Sequence, residues 1–380
     1  MHILVAPDSF KGSLTSNQVT ESISKGVLAV FPEAKITKLP IADGGEGTVD
    51  AMLCSAGGER RVAEVQDPLG RPVWAEYGVL PDGTAVIEMA AASGLLLLSE
   101  KERNAQKTST FGTGQLIRHV LDAGFSRIIL GLGGSATNDG GAGAASALGV
   151  RFLDSKGNEL PPGGAALAHL TTIDLTRIDA RLARANITLA SDVASPLCGK
   201  KGASALFGPQ KGASPEEVPL LDEALAHFAR VVKSQMGIDK AETPGAGAAG
   251  GLGFGMMVFC KATRASGIDM VLDAAGVDAL LATTDLVITG EARIDGQSLE
   301  GKAPVGISRR AKKFGLPVIA IVGNIGAGEQ LVYEQGVDAI MSIATGPMQL
   351  EDMMENAGSL VEEAAKRAMR LASIGTKLSL

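Results

Sequence analysis

The chain has 380 residues, 45% hydrophobic and 20% charged, with 35 basic against 42 acidic side chains and a formal net charge of −7. This balance excludes a disordered chain, and no basic run exists to neutralise a nucleic-acid backbone. The length exceeds what one core comfortably serves, so two domains are expected.

Aromatic residues make up 3%, with Trp74 the single tryptophan, so Ala, Val, Leu and Ile must fill the core. Parallel sheets covered by helices are built that way. The three cysteines, Cys54, Cys198 and Cys260, are odd in number and far apart; they form neither a disulfide framework nor a zinc pattern and fit a reducing cytoplasm. The N-terminus reaches Asp8 and Lys11 too soon for a signal peptide. The longest uncharged stretch, Pro244 to Cys260, is short for a membrane span and is broken by six glycines. The expectation is a cytoplasmic protein with no membrane contact.

In chain order, residues 2–6 read as a first strand. Thr15 opens a helix, with Gln18 three residues on as in a capping box, and Val19, Ile23 and Val27 share one face. A second strand, 35–41, leads through Ala42-Asp43-Gly44-Gly45-Glu46-Gly47 into another helix. From 62 to 98 turn signals at Asp67-Pro68-Leu69-Gly70 and Pro81-Asp82-Gly83 separate strand-like runs, which predicts antiparallel pairing. Residues 127–130 form a buried strand running into the glycine-rich segment 131–143, and 187–190 another that ends at Ser191-Asp192. Ser214-Pro215-Glu216-Glu217 starts a helix with proline at the first helical position. Residues 244–260 read as a glycine loop running into a buried helix. Strands at 286–289, 317–322 and 339–343 follow, separated by helices. The pattern is α/β. The chain ends, 1–64 and 285–380, are expected to form one parallel-sheet domain, with 65–284 a mixed α/β domain inserted between them and the site in the cleft they share.

Five strands run into turns bearing acidic residues: Asp8, Asp43, Asn138-Asp139, Asp192 and Glu291, with Asp295 just beyond. Ligands of open α/β sheets bind at those carboxyl ends. Carboxylates there can hold Mg²⁺ or accept a proton from a hydroxyl; the plainer alternative is that each caps the next helix. The segment 131–141 resembles an anion-binding nest before a helix, and 245–255 has the same character. Tight helix–sheet packing is the competing use of the same glycines. Neither loop has the Walker arrangement, and the Gly-x-Gly-x-x-Gly traced from Gly245, Gly247 and Gly250 follows no convincing strand. Lys11, Lys211, Lys302 and Arg293 lie in Gly/Ser/Pro-rich loops where cations could offset phosphoryl charge. No GxSxG elbow is present and no histidine has a paired nucleophile, which disfavours a Ser-His-Asp hydrolase.

Seven ordered segments then resemble the type I glycerate kinases. They are Ala6-Pro7-Asp8-Ser9-Phe10-Lys11, Ala42-Asp43-Gly44-Gly45-Glu46-Gly47-Thr48, Glu88-Met89-Ala90-Ala91-Ala92-Ser93-Gly94-Leu95, Gly133-Gly134-Ser135-Ala136-Thr137-Asn138-Asp139-Gly140-Gly141, Phe207-Gly208-Pro209-Gln210-Lys211-Gly212-Ala213, Pro244-Gly245-Ala246-Gly247 and Ile288-Thr289-Gly290-Glu291. The chain departs from that family at Ala292, where glycine is usual, and at Ser195, where asparagine is usual. The resemblance implies a flavodoxin-like domain made from both chain ends. It also implies phosphorylation of D-glycerate by ATP with Mg²⁺, generally to 2-phosphoglycerate, with the 3-phosphate as the other possible product. On this reading Asp192, Asp43, Lys11 and Glu291 are candidates for the chemical step. Asp8, Ser9, Lys11, Ser135, Asn138 and Arg293 are candidates for binding glycerate. Gly133, Gly134, Lys211, Gly245, Gly247, Gly251 and Gly253 are candidates for ATP, and Asp139 and Asp295 for Mg²⁺. The carboxylates are interchangeable at this level. A GHMP-type small-molecule kinase, a nicotinamide-dependent oxidoreductase and a non-catalytic binding module stand as alternatives, and a homo-oligomer is open.

Overall fold

The computed structural model describes residues 1–300 and 302–378. Strands in chain order are β1 (His2–Pro7), β2 (Lys35–Lys38), β3 (Glu59–Gln66), β4 (Pro72–Val79), β5 (Thr84–Glu88), β6 (Arg127–Gly131), β7 (Arg151–Leu153), β8 (Thr172–Asp174), β9 (Asn186–Ala190), β10 (Thr263–Ala265), β11 (Leu286–Ile294), β12 (Val318–Ile325) and β13 (Ala339–Ser342). The chain divides into two compact units, one of Met1–Asp43, Asp50–Ala56 and Ile268–Leu380, the other of Gly44–Val49 and Gly57–Gly267.

The first unit is built on a sheet of order β13-β12-β11-β1-β2 with every pairing parallel. Renumbered within the unit this is the 2-1-3-4-5 order of flavodoxin-like folds, with its switch point between β1 and β11. β1 and β11 bury nearly every side chain, as strands covered on both faces do. On one face Ile3, Val5, Ile288 and Ile321 pack with Val19, Ile23 and Val27 and with Val361, Ala365 and Met369. The helix Ser16–Val30 starts with the expected Thr15–Gln18 capping box. It lies close against the helix Ala357–Leu378 because Gly26 has no side chain; a Cβ there would stand 2.4 Å from the Glu362 carbonyl oxygen. On the other face Ala320, Val322 and Ile294 pack with Val305 of the helix Ala303–Lys313.

The second unit holds a mixed sheet, β10-β9-β6-β5-β4-β3. β10, β9, β6 and β5 run parallel, while β5-β4-β3 is the expected antiparallel meander. Asp67 closes the β3–β4 turn by accepting from the N–H groups of Leu69 and Arg71 at 2.8 and 2.9 Å. β7 and β8 make a separate hairpin. A ring cluster of Phe152, Phe228, Phe254 and Phe259 joins the helices Glu217–Met236 and Ala248–Phe259.

Some boundaries differ from the sequence reading. The second strand stops at Lys38, not at 41, although the N–H groups of Leu39 and Ile41 still donate to β1 carbonyls. β11 runs through Glu291 to Ile294, so Glu291 belongs to a strand and not to the turn after one. Among the described residues no helix is long and apolar enough to cross a membrane.

Candidate active site

The carboxyl ends of β1 and β11 bring together Asp8 and Glu291. The Asp8 N–H donates to the Gly290 carbonyl at 2.9 Å, which extends the ladder by one residue. Asp8 is 5% and Glu291 6% exposed. Burial raises the Asp8 pKa well above the ordinary carboxylate range, and the Asp43 and Glu291 charges raise it further. The Ser9 N–H, which donates at 2.6 Å, and the Lys11 ammonium oppose that rise. Burial raises Glu291 as well. Against it, Ser298 Oγ donates to Oε1 at 2.7 Å and the Lys302 ammonium stands 3.4 Å from Oε2. Three carboxylates, Asp8, Asp43 and Glu291, thus share this end of the sheet with the ammonium groups of Lys11 and Lys302. Further along β11, Arg293 and Asp295 pair with each other at 2.9 Å.

The second unit has a comparable place at the carboxyl ends of β6 and β9. The Gly133 N–H donates to the Gly44 carbonyl at 3.2 Å, and the Leu132 N–H to that of Ala190 at 3.3 Å. A Cβ on Gly133 would lie 2.4 Å from Gly45 Cα, and one on Gly44 2.5 Å from the Ala190 oxygen. Glycine is required for these loops to stack. Asp192, the second residue past β9, is half-buried between Ser191 and Val193. Gly133 and Gly134 are accessible where they follow β6.

Several candidates are held inside the unit by its own groups. The backbone from Ser135 to Gly141 is buried, not an open nest. Ser135 forms a bridge with Gly94, and Asn138 Nδ2 donates to Ser204 Oγ at 2.9 Å. Asp139 is 1% exposed and accepts from the Thr110 N–H (2.8 Å) and Oγ1 (2.9 Å) and from the N–H groups of Gly141 (3.1 Å) and Gly143 (3.2 Å). Burial raises its pKa and these donors oppose the rise. These donors make it an organiser of the loop. Lys211 is 1% exposed and donates from Nζ to the Thr137 carbonyl at 2.7 Å. Burial lowers its pKa to about 7, with Asp139 holding it up. It cannot meet an incoming phosphate.

The glycines read for ATP in the second loop are enclosed in the same way. Residues 245–260 are buried throughout. Cβ atoms on Gly247, Gly251 and Gly253 would lie 2.2 Å from the Pro196 oxygen, 2.7 Å from Gly140 Cα and 2.1 Å from the Gly245 oxygen. Ala249, Gly250 and Gly251 are all left-handed, which breaks the helix and seats it on the 137–141 segment. Packing, and not ligand approach, explains this glycine density.

Two contributors carry no marker in the sequence. Ser298, three positions past Asp295, fixes Glu291, and Arg264 on β10 donates from Nη1 to the Ser191 and Val193 carbonyls at 3.0 and 3.4 Å. Among the described residues no group of three or more His, Cys, Asp or Glu side chains is placed to hold a metal ion by itself. Mg²⁺ usually takes only one or two carboxylates beside substrate phosphates.

A sequence model of the glycerate kinase family matches residues 3–373. The chain is 48% identical over 367 residues to the glycerate kinase of Bacillus subtilis (strain 168), covering 96% of both chains. It is 44% identical over 378 residues to the glycerate 2-kinase of Escherichia coli (strain K12), covering 99% of both. A crystal structure of a Salmonella typhimurium LT2 protein assigned as glycerate kinase 2 superposes with a TM-score of 0.82, at 46% identity and 99% coverage of both chains.

Proposed function

The chain belongs to the glycerate kinase family, and from that premise we propose that it transfers the γ-phosphate of ATP to D-glycerate, giving 2-phospho-D-glycerate and ADP. The choice of the 2-position draws on the E. coli relative described as a glycerate 2-kinase. The family match also sets aside the GHMP-type kinase and the nicotinamide-dependent oxidoreductase. A reducing cytoplasm is the proposed location, in keeping with three free cysteines.

The observation that carries the chemistry is the crowding of Asp8 by Asp43 and Glu291. A carboxylate whose proton affinity is raised by burial and by neighbouring carboxylates, as that of Asp8 is, fits a divalent cation, which removes the same repulsion that a proton would. Asp8 and Asp43 would hold Mg²⁺, which when bound neutralises charge on the nucleotide phosphates. Glu291, fixed by Ser298 and Lys302, adds to the negative field and orients Lys302. Lys11, with an exposed side chain, would bind the anionic reactants, and the accessible Gly133–Gly134 backbone allows close approach of a phosphate. Asp192 would accept the hydroxyl proton as the C2 oxygen bonds to the γ-phosphorus and the bond from phosphorus to the ADP oxygen breaks. Such a reaction asks chiefly for positioning and charge compensation.

The test is coupled detection of ADP with D-glycerate, L-glycerate, homoserine and galactose as acceptors. Phosphorus NMR then separates the 2-phosphate from the 3-phosphate. ADP release with D-glycerate and Mg²⁺, with the 2-phosphate as product, is the expected result. No ADP with D-glycerate would overturn the reading.

A further inference from the structure

We propose that Arg264 is the positioning residue for Asp192, and that Gly245 is a glycine in order to admit it. The inference rests on the reading of Asp192 as proton acceptor. Arg264 sits on β10, the edge strand beside β9, opposite Leu189. Its Nη1 donates to the carbonyl of Ser191 at 3.0 Å and to that of Val193 at 3.4 Å. These are the residues immediately before and after Asp192, so a single guanidinium nitrogen clamps the backbone on both sides of the carboxylate.

The rest of the loop is held to match. The Ser191 N–H donates to the Ala265 carbonyl at 3.2 Å, and the Gly247 N–H to that of Ser195 at 3.0 Å. A loop of five residues thus has its two ends tied to main chain and its middle tied to one arginine. The arginine needs space: Gly245 has φ +88°, and a Cβ there would stand 2.5 Å from Arg264 Cδ and 3.4 Å from the Val193 oxygen. This gives Gly245 a use that differs from binding ATP. The planar guanidinium suits two diverging carbonyls because its N–H directions are fixed, whereas an ammonium on a flexible stem is not pre-organised. Misplacing a catalytic group by about 1 Å can reduce turnover by roughly 100-fold.

The experiment uses the full chain and compares Arg264→Ala, Arg264→Lys, Gly245→Ala and Asp192→Asn. We expect Arg264→Ala to lose roughly 10- to 100-fold in kcat while KM for ATP and for D-glycerate changes little. Millimolar guanidinium should restore part of the loss, and Arg264→Lys should keep an intermediate rate. Gly245→Ala should mimic Arg264→Ala, and the two together should be no worse than either alone. In the Asp192→Asn background, adding Arg264→Ala should change the residual rate little. If Asp192→Asn retains near wild-type turnover, the reading of Asp192 fails on its own. If Asp192→Asn is impaired but Arg264→Ala and Arg264→Lys are not, or if the Arg264 and Asp192 losses simply multiply, the positioning role is overturned. Should Arg264→Ala not fold, Arg264→Lys and Gly245→Ala carry the same comparison.

Discussion

Asp8 holds a buried carboxylate beside two others, an arrangement that works against the folded state at neutral pH. Its pKa is raised in the fold above the ordinary 3.8, so the folded chain binds that proton more tightly than the unfolded one. The stability it contributes is complete below the unfolded value and is lost as pH rises through the folded one. Asp8→Asn should therefore raise the thermal midpoint near pH 7.5 while abolishing most ADP production. An unchanged or lower midpoint would show that the charge is already compensated. Lys211 runs the other way. Unfolded, its ammonium keeps the proton to 10.5; folded, burial lowers its pKa to about 7. Between those values the unfolded chain holds more protons, so stability rises with pH, by at most about 1.4 kcal/mol per unit. Urea unfolding of wild type and Lys211→Met from pH 7 to 10 should show this rise in wild type and a flatter profile in the variant. Parallel profiles would mean that Lys211 stays charged. The place of Asp8 was legible in the sequence because a short apolar run, His2–Ala6, leads directly to it. The burial of Lys211 was not legible because a lysine among glycines looks the same whether its loop faces ligand or core.

At the scale of elements, two features make contrasting demands on single residues. The Thr15–Gln18 capping box satisfies two backbone donors at an exposed helix end, and Thr15→Ala should cost about 1 kcal/mol. Gly250 is left-handed at φ +67°, with a virtual Cβ 1.9 Å from the Thr137 oxygen. Gly250→Ala combines a left-handed alanine with a backbone clash, and should cost roughly 2–5 kcal/mol in urea unfolding. A loss no larger than that of Thr15→Ala would show that the 249–251 turn can relax. The capping box was legible because its determinants are three residues apart. The left-handed turn was not, because its partners, Thr137 and Gly140, lie more than a hundred positions earlier. Glycine permits a ligand and another backbone to approach equally well, and only the partner decides. The donors around Asp139 were hidden for the same reason, since Thr110 supplies them from 29 positions away. Arg264 escaped notice because an exposed arginine on a three-residue strand has no distinguishing neighbour.

At the scale of the molecule, the pattern of β-branched runs and helices gave the α/β class, and the turn signals after residue 62 gave the antiparallel strands. Periodicity could not give the strand order. β1 lies between β2 and β11, and that choice is made by which apolar faces bury together. The N–H of His2 donates to Asp285 across 283 positions. This separation has a consequence during synthesis. At about 5–20 residues per second, β1 waits roughly 14–57 s before β11 is even made. Residues 57–267, whose sheet is drawn from nearby sequence, have all of their strands by then. On ribosomes stalled soon after residue 267 has emerged, that segment should resist protease while residues 1–43 are digested. Early protection of residues 1–43 would mean that β1, β2 and the helix Ser16–Val30 hold together before β11 is made. The nascent chain thus carries an apolar strand, His2–Pro7, that has at most its β2 neighbour for most of its translation, a natural client for a chaperone that holds extended segments.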